Sequence, residues 1–234
     1  MTVKVVLGVV FLVLALFGFQ QLRSNQETKE RVRRGRVPVA IEDAKAKNQE
    51  EVRLPAPIPF YAAVSSLDEA LSHYSTVIAK PILQYSQVSP NSKEIETWYK
   101  LEVIEFLSQP KNSKCADCSF AKDVPPQLQP VQGNEIIVTR NTGSVVSDGV
   151  RVITSDLKFP DFKMNQPYLI LLSLDLGTRV GLIELGPEGV SAIESDGRIT
   201  PISDKSNKLN KELETRYGNI DQIKTQLKSR SFPE

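Results

Sequence analysis

Residues 76–85 read TVIAKPILQY and residues 97–107 read TWYKLEVIEFL. In the second, Tyr99, Leu101, Val103 and Leu107 recur at a spacing of two, which places them on one face of an extended strand. Pro81 interrupts the first segment and marks an edge or a bulge, because proline cannot donate to a ladder. Immediately upstream the period is helical. Ser66-Leu67-Asp68-Glu69 has capping-box spacing, and Leu67, Ala70, Leu71 and Tyr74 follow at i, i+3, i+4 and i+7. A two-turn helix is therefore predicted to open the domain and to give way to strands at Thr76.

The strand pattern continues downstream. Glu135–Arg140 is a third strand, and 144–147 and 150–154 flank Asp148-Gly149, a two-residue signal for a type I′ hairpin. Pro167–Leu174 (PYLILLSL) is apolar without a break and is predicted to be the most buried strand. Strands over 179–185, 190–194 and 198–202 are separated by Gly186-Pro187-Glu188-Gly189 and Ser195-Asp196-Gly197. The fold class predicted is mainly β, an antiparallel barrel or sandwich of about seven or eight strands. Parallel α/β is disfavoured because no interior connection carries a helix of adequate length. At the carboxyl end Leu209, Leu213 and Tyr217 share one helical face, Gly218 interrupts it, and Asn219 with Gln222 can recap a second stripe of Ile220, Ile223 and Leu227. These short helices are expected to lie against the β domain or over its end.

Val5 to Phe19 is apolar throughout, and as a helix it spans about 22 Å, short of a hydrocarbon core of about 30 Å. Flanking residues extend it and Lys4 can snorkel, so a membrane-anchor helix over residues 1–20 is expected to precede the β domain. A cleaved signal peptide is the alternative, but small residues do not stand at both positions a cleavage site requires: Gly18 is preceded two residues earlier by Leu16. Residues 21–59 are rich in charge, show no convincing helical stripe and end in Pro55-Ala56-Pro57-Ile58-Pro59, so they read as a stiffening tether. Within it Arg31, Arg33, Arg34 and Arg36 are candidate contacts to lipid headgroups. The expected partners are membrane lipid through the first helix and another protein. The β domain is assigned to residues 60–202 and the helical segment to 203–234.

The chain of 234 residues has 29 Lys+Arg against 28 Asp+Glu, a net charge of +1, which does not describe a polybasic nucleic-acid module. One histidine, His73, lies off the helical stripe and reads as a surface residue. Trp98 and Tyr99 read as core positions and not as a nucleic-acid stacking platform. Cys115-Ala116-Asp117-Cys118 is the one recognisable chemical constellation, a candidate disulfide or redox pair. A dithiol exchanger wants its first thiol at a helix start directly after a strand, whereas Pro125-Pro126 stops any long helix here, so two structural cysteines fit better. No phosphate loop, nucleophile elbow, zinc-protease or EF-hand spacing occurs, so no metal site and no cofactor is expected.

Four segments carry a resemblance: STVIAKPILQYS (75–86), WYKLEVIEFL (98–107), MNQPYLILLSL (164–174) and GLIELGPEGVSAIESDGRITPI (181–202). In order and pattern they resemble small OB-like, netrin-type β-barrels of secreted or membrane-tethered proteins. The resemblance implies an extracytoplasmic, single-pass body, although the basic residues after the apolar run lean toward a cytoplasmic one. The amino-terminal cysteines with which netrin-type inhibitors engage proteases are absent. The reading is a membrane-tethered, non-catalytic binding or complex-organising β domain, with a thiol–disulfide protein using Cys115 and Cys118 as the alternative.

Overall fold

A computed structural model describes residues 30, 34–55, 61–90, 92–109, 118–156, 158–202 and 208–229. Among these, ten strands lie in two sheets beside four α-helices, so the chain is mainly β. Helix α1 (Arg36–Ala46) and strand β1 (Glu51–Pro55) come first, then α2 (Leu67–His73). The long strands β2 (Ser75–Val88) and β3 (Ile95–Ser108) follow, then β4 (Glu135–Arg140), β5 (Gly143–Ser147) and β6 (Val150–Ser155). Next are β7 (Tyr168–Asp175), β8 (Val180–Leu182), β9 (Val190–Ile193) and β10 (Ile199–Pro201), and the chain closes with α3 (Lys208–Arg216) and α4 (Ile220–Ser229).

The larger sheet has the order β10-β9-β7-β2-β3-β4-β8. Strand β8 also pairs with β7, so the pairings run β2–β3–β4–β8–β7 and return to β2. The smaller sheet is β1-β6-β5. Two pairings, β1 with β6 and β4 with β8, are parallel, which corrects the expectation of a purely antiparallel arrangement. Both join strands far apart in sequence, a relation that the local signals of alternation and turns do not encode. Strand β2 is interior to its sheet, between β3 and β7, and Pro81 is accommodated by a bulge between Pro81 and Leu83.

Alternation along the strands separates two faces. On one, Val77, Ala79, Tyr99, Leu101, Val138 and Ile170 pack with Phe159 and Phe162 from the β6–β7 connection. On the other, Ile78, Leu169 and Leu171 meet the stripes of α2, α3 and α4. Further along that outer face Trp98 and Ile137 lie under Val124 and Leu128. The expected helical caps are present: Ser66 accepts from the Glu69 amide at 3.2 Å, and Asn219 Oδ1 accepts from the Asp221 amide at 2.9 Å. The Glu69 carboxylate reaches back to the amide and hydroxyl of Ser65, one residue before the capping-box position.

Residues 36–55 do not form the helix-free tether expected of them. Val37, Ala40, Ile41 and Ala44 of α1 are buried at i, i+3, i+4 and i+7, and Val37, Ile41 and Ala44 pack with Ile95, Val150 and Val152. The stripe is built from small and β-branched residues and crowded by four charges, which hid its period. Gly35 caps this helix at φ 88°, with its α-carbon against the backbone of Ser92 where a side chain has no room. Strand β8 is shorter than expected, because Arg179 takes a left-handed conformation at φ 57° and Gly186–Gly189 forms a 3-10 turn.

Candidate functional site

The two ends of the strand pairs that surround Tyr99 and Leu101 differ. At one end β4 finishes in Arg140, whose side chain is only 4% exposed. Its Nη1 donates to the Pro160 carbonyl at 2.8 Å and to Asp161 Oδ1 at 3.2 Å, and its Nη2 donates to the Phe159 carbonyl. The guanidinium stacks over the Phe159 ring, 3.9 Å from its centroid. Tyr99 adds a second donor to Asp161 Oδ1 at 3.3 Å, and Phe162 packs edge-on against both Tyr99 and Tyr168 at 5.0 Å. Tyr61, bonded to Asp156 at 3.0 Å, covers Phe159 from outside. Burial, reinforced by the neighbouring carboxylates, pushes the Tyr61 and Tyr99 hydroxyls well above the ordinary tyrosine range, so both stay neutral donors. These side-chain partners of Arg140 all come from the one connection, 159–162, which seals this end.

At the other end β3 outruns its neighbour. Its pairing with β4 stops at Glu102 opposite Glu135, and among the described residues no strand continues beside it on that side. Asn134 extends the ladder by one step, accepting from the Val103 amide and donating to the Val103 carbonyl, each at 2.8 Å. Arg179 donates to the Gly133 carbonyl, which ties the β7–β8 turn to the same place. Large apolar side chains collect on these pieces: Ile104 is 53% exposed, Phe106 44% and Leu176 55%. A non-glycine residue with positive φ, Arg179, stands in the same turn as Leu176. This end presents apolar surface held by a strained turn, and it is the candidate interface.

The site residues expected from sequence are placed as follows. Cys115, Arg31 and Arg33 lie outside the described residues, as does the anchor over residues 1–20. Cys118 opens a 3-10 turn, Cys118–Asp123. Arg34 is ion-paired with Glu42 at 2.6 Å and Arg36 donates to the Pro55 carbonyl, so both engage this chain's own surface. His73 is an exposed helix-end residue whose Nδ1 contacts the Glu69 carbonyl at 2.9 Å and Ser72 Oγ at 3.0 Å. Trp98 and Tyr99 are core residues. Among the described residues no group of three potential metal-ligating side chains occurs, and no helix is long and apolar enough to cross a membrane. Sequence reading missed both ends of the sheet. The alternation of residues 97–107 put Ile104 and Phe106 together, but only the shortness of β4 leaves them uncovered. No family model, curated protein or solved structure matches the chain.

Proposed function

We propose that the protein is a membrane-tethered, non-catalytic binding or complex-organising domain built on a closed, OB-like barrel, which contacts another protein through the overhanging half of β3. The pairing circuit from β2 through β3, β4, β8 and β7 supports a closed barrel. The observation that carries the functional reading is the pairing of a sealed end with an apolar one. Arg140 and the 159–162 connection close one, while Ile104, Phe106 and Leu176 stay exposed on the other. The only histidine, held at a helix end by its own backbone, supports a role without acid–base chemistry. The first twenty residues supply the anchor in this reading, the body faces the extracytoplasmic side, and neither nucleic acid nor a cofactor is involved.

A photo-crosslinking amino acid introduced at Phe106, compared with one at Lys158 beside the sealed end, tests the assignment in the native membrane. A discrete protein adduct from position 106 and none from position 158 is expected. Equal adducts from both, or none from 106, would remove the overhang as the interface.

A further inference from the structure

The outer face of β3 carries Glu96, Trp98 and Lys100 in a row, two residues apart. Residues 118–131 lie over this row. Val124 and Leu128 pack on Trp98, Gln127 donates to Tyr85 opposite it at 3.3 Å, and Lys100 Nζ donates to the Pro130 carbonyl at 3.0 Å. Trp98 and Lys100 therefore hold the segment down. Glu96 does the opposite. Its Oε2 is buried without a hydrogen-bond partner, and the charged groups facing it are both acidic: Asp123 from the covering segment and Glu94 from the β2–β3 connection. From β2 it faces Gln87, its register partner, and on its own strand the Trp98 indole.

We propose that protonation of Glu96 tightens the docking of residues 118–131 on β3 and β4, which makes this cover a pH-sensitive latch. While Glu96 is charged, its desolvated Oε2 has no donor and the carboxylate repels Asp123 across the seam, a cost that the Trp98 indole and Gln87 amide offset only in part. Protonation removes both penalties and leaves the packing on Trp98 and the Lys100 bond unopposed. Burial is the main cause that raises the Glu96 carboxyl above the usual glutamate range. Asp123 and Glu94 add to it, and the nearby Trp98 indole and Gln87 amide pull the other way. The sign follows by linkage. The docked state binds the proton more tightly than the undocked one, so docking weakens as pH rises through the raised value and gains nothing further below the ordinary one. The segment begins at Cys118, so the latch also sets how firmly that residue's backbone is held.

Trp98 is the only tryptophan, so its emission in the full-length chain reads this seam directly. Between about pH 8 and about pH 5 the wild type should show one transition, centred above the value of an exposed glutamate. Glu96→Gln should keep the acid-side spectrum throughout, and Asp123→Asn should move the midpoint down. Hydrogen exchange of the Leu128 and Gln129 amides, bonded to the Pro125 and Pro126 carbonyls, separates docking from a change at the indole alone. Their protection, corrected for intrinsic rate, should rise on the acid side by up to about tenfold per unit of pKa elevation, and should be pH-independent in Glu96→Gln. An unchanged transition in Glu96→Gln, no transition in the wild type, or an emission change without a change in protection would each overturn the latch.

Discussion

Arg140 and Asp161 form one ion pair but are far from equal in consequence. The guanidinium is buried among the carbonyls of Phe159 and Pro160 and the Phe159 ring, whereas the Asp161 side chain is 57% exposed. Removing the cation strands the acceptors that it satisfies, while removing the exposed charge leaves the guanidinium its two carbonyls. Arg140→Met is therefore expected to cost about 3 kcal/mol. Asp161→Asn should cost less than about 1 kcal/mol, the value of a solvent-screened pair. Urea unfolding of both variants checks this, and equal losses would contradict the assignment of the seal to the carbonyls. In the sequence, Arg140 reads only as the last residue of EIIVTR. Its partners lie about twenty positions downstream in a connection without regular structure, and the two phenylalanines of Phe159-Pro160-Asp161-Phe162 are the only sign that the connection turns inward.

Elements whose signals are local were legible, and those that depend on distant partners were not. The type I′ turn at Asp148-Gly149 has positive φ at both residues, and Gly218 separates the two carboxyl-terminal helices at φ 46°. Strands β2, β3, β4 and β7 lie where alternation or apolar continuity puts them. By contrast β1 is five residues long, charged at Glu51 and Arg53, and becomes a strand only because β6 offers it a parallel edge. The predicted cap of α2 can be tested in isolation. The Ser66 hydroxyl satisfies the Glu69 amide at the start of a helix of only seven residues, which buries Leu67, Ala70 and Leu71 against the sheet. Ser66→Ala should cost about 1 kcal/mol, measured by thermal or urea unfolding. A loss below a few tenths would mean that the Glu69–Ser65 contacts carry the cap instead.

At the scale of the molecule, the boundary between tether and domain moves. Alternation and turn signals began the domain near residue 60, but α1 and β1 are packed into it: Val37, Ile41 and Ala44 are buried against Ile95, Val150 and Val152, and β1 occupies one edge of β6. The contact is anchored on the β2–β3 connection, where the Val37 amide donates to the Ser92 carbonyl at 3.2 Å. Charge density over residues 21–59 concealed this, since mean polarity is set by exposed residues and packing by the few that are not. Two truncations follow. A chain starting at residue 30 keeps α1 and β1 and should unfold as the full chain's β domain does. A chain starting at residue 60 loses both, bares the Val150–Val152 face and frees the β6 edge for intermolecular pairing. Burying one large aliphatic side chain is worth about 1.5–3 kcal/mol, so loss of Val37 and Ile41 alone removes roughly 3–6 kcal/mol, an upper figure because the unfolded chain is not fully extended. That is much of the stability of an ordinary domain. The chain starting at residue 30 should therefore melt and sediment like the full-length domain, and the one starting at residue 60 should melt well below it or aggregate, as read by circular dichroism and sedimentation velocity. Equal melting of the two would return residues 36–55 to the tether.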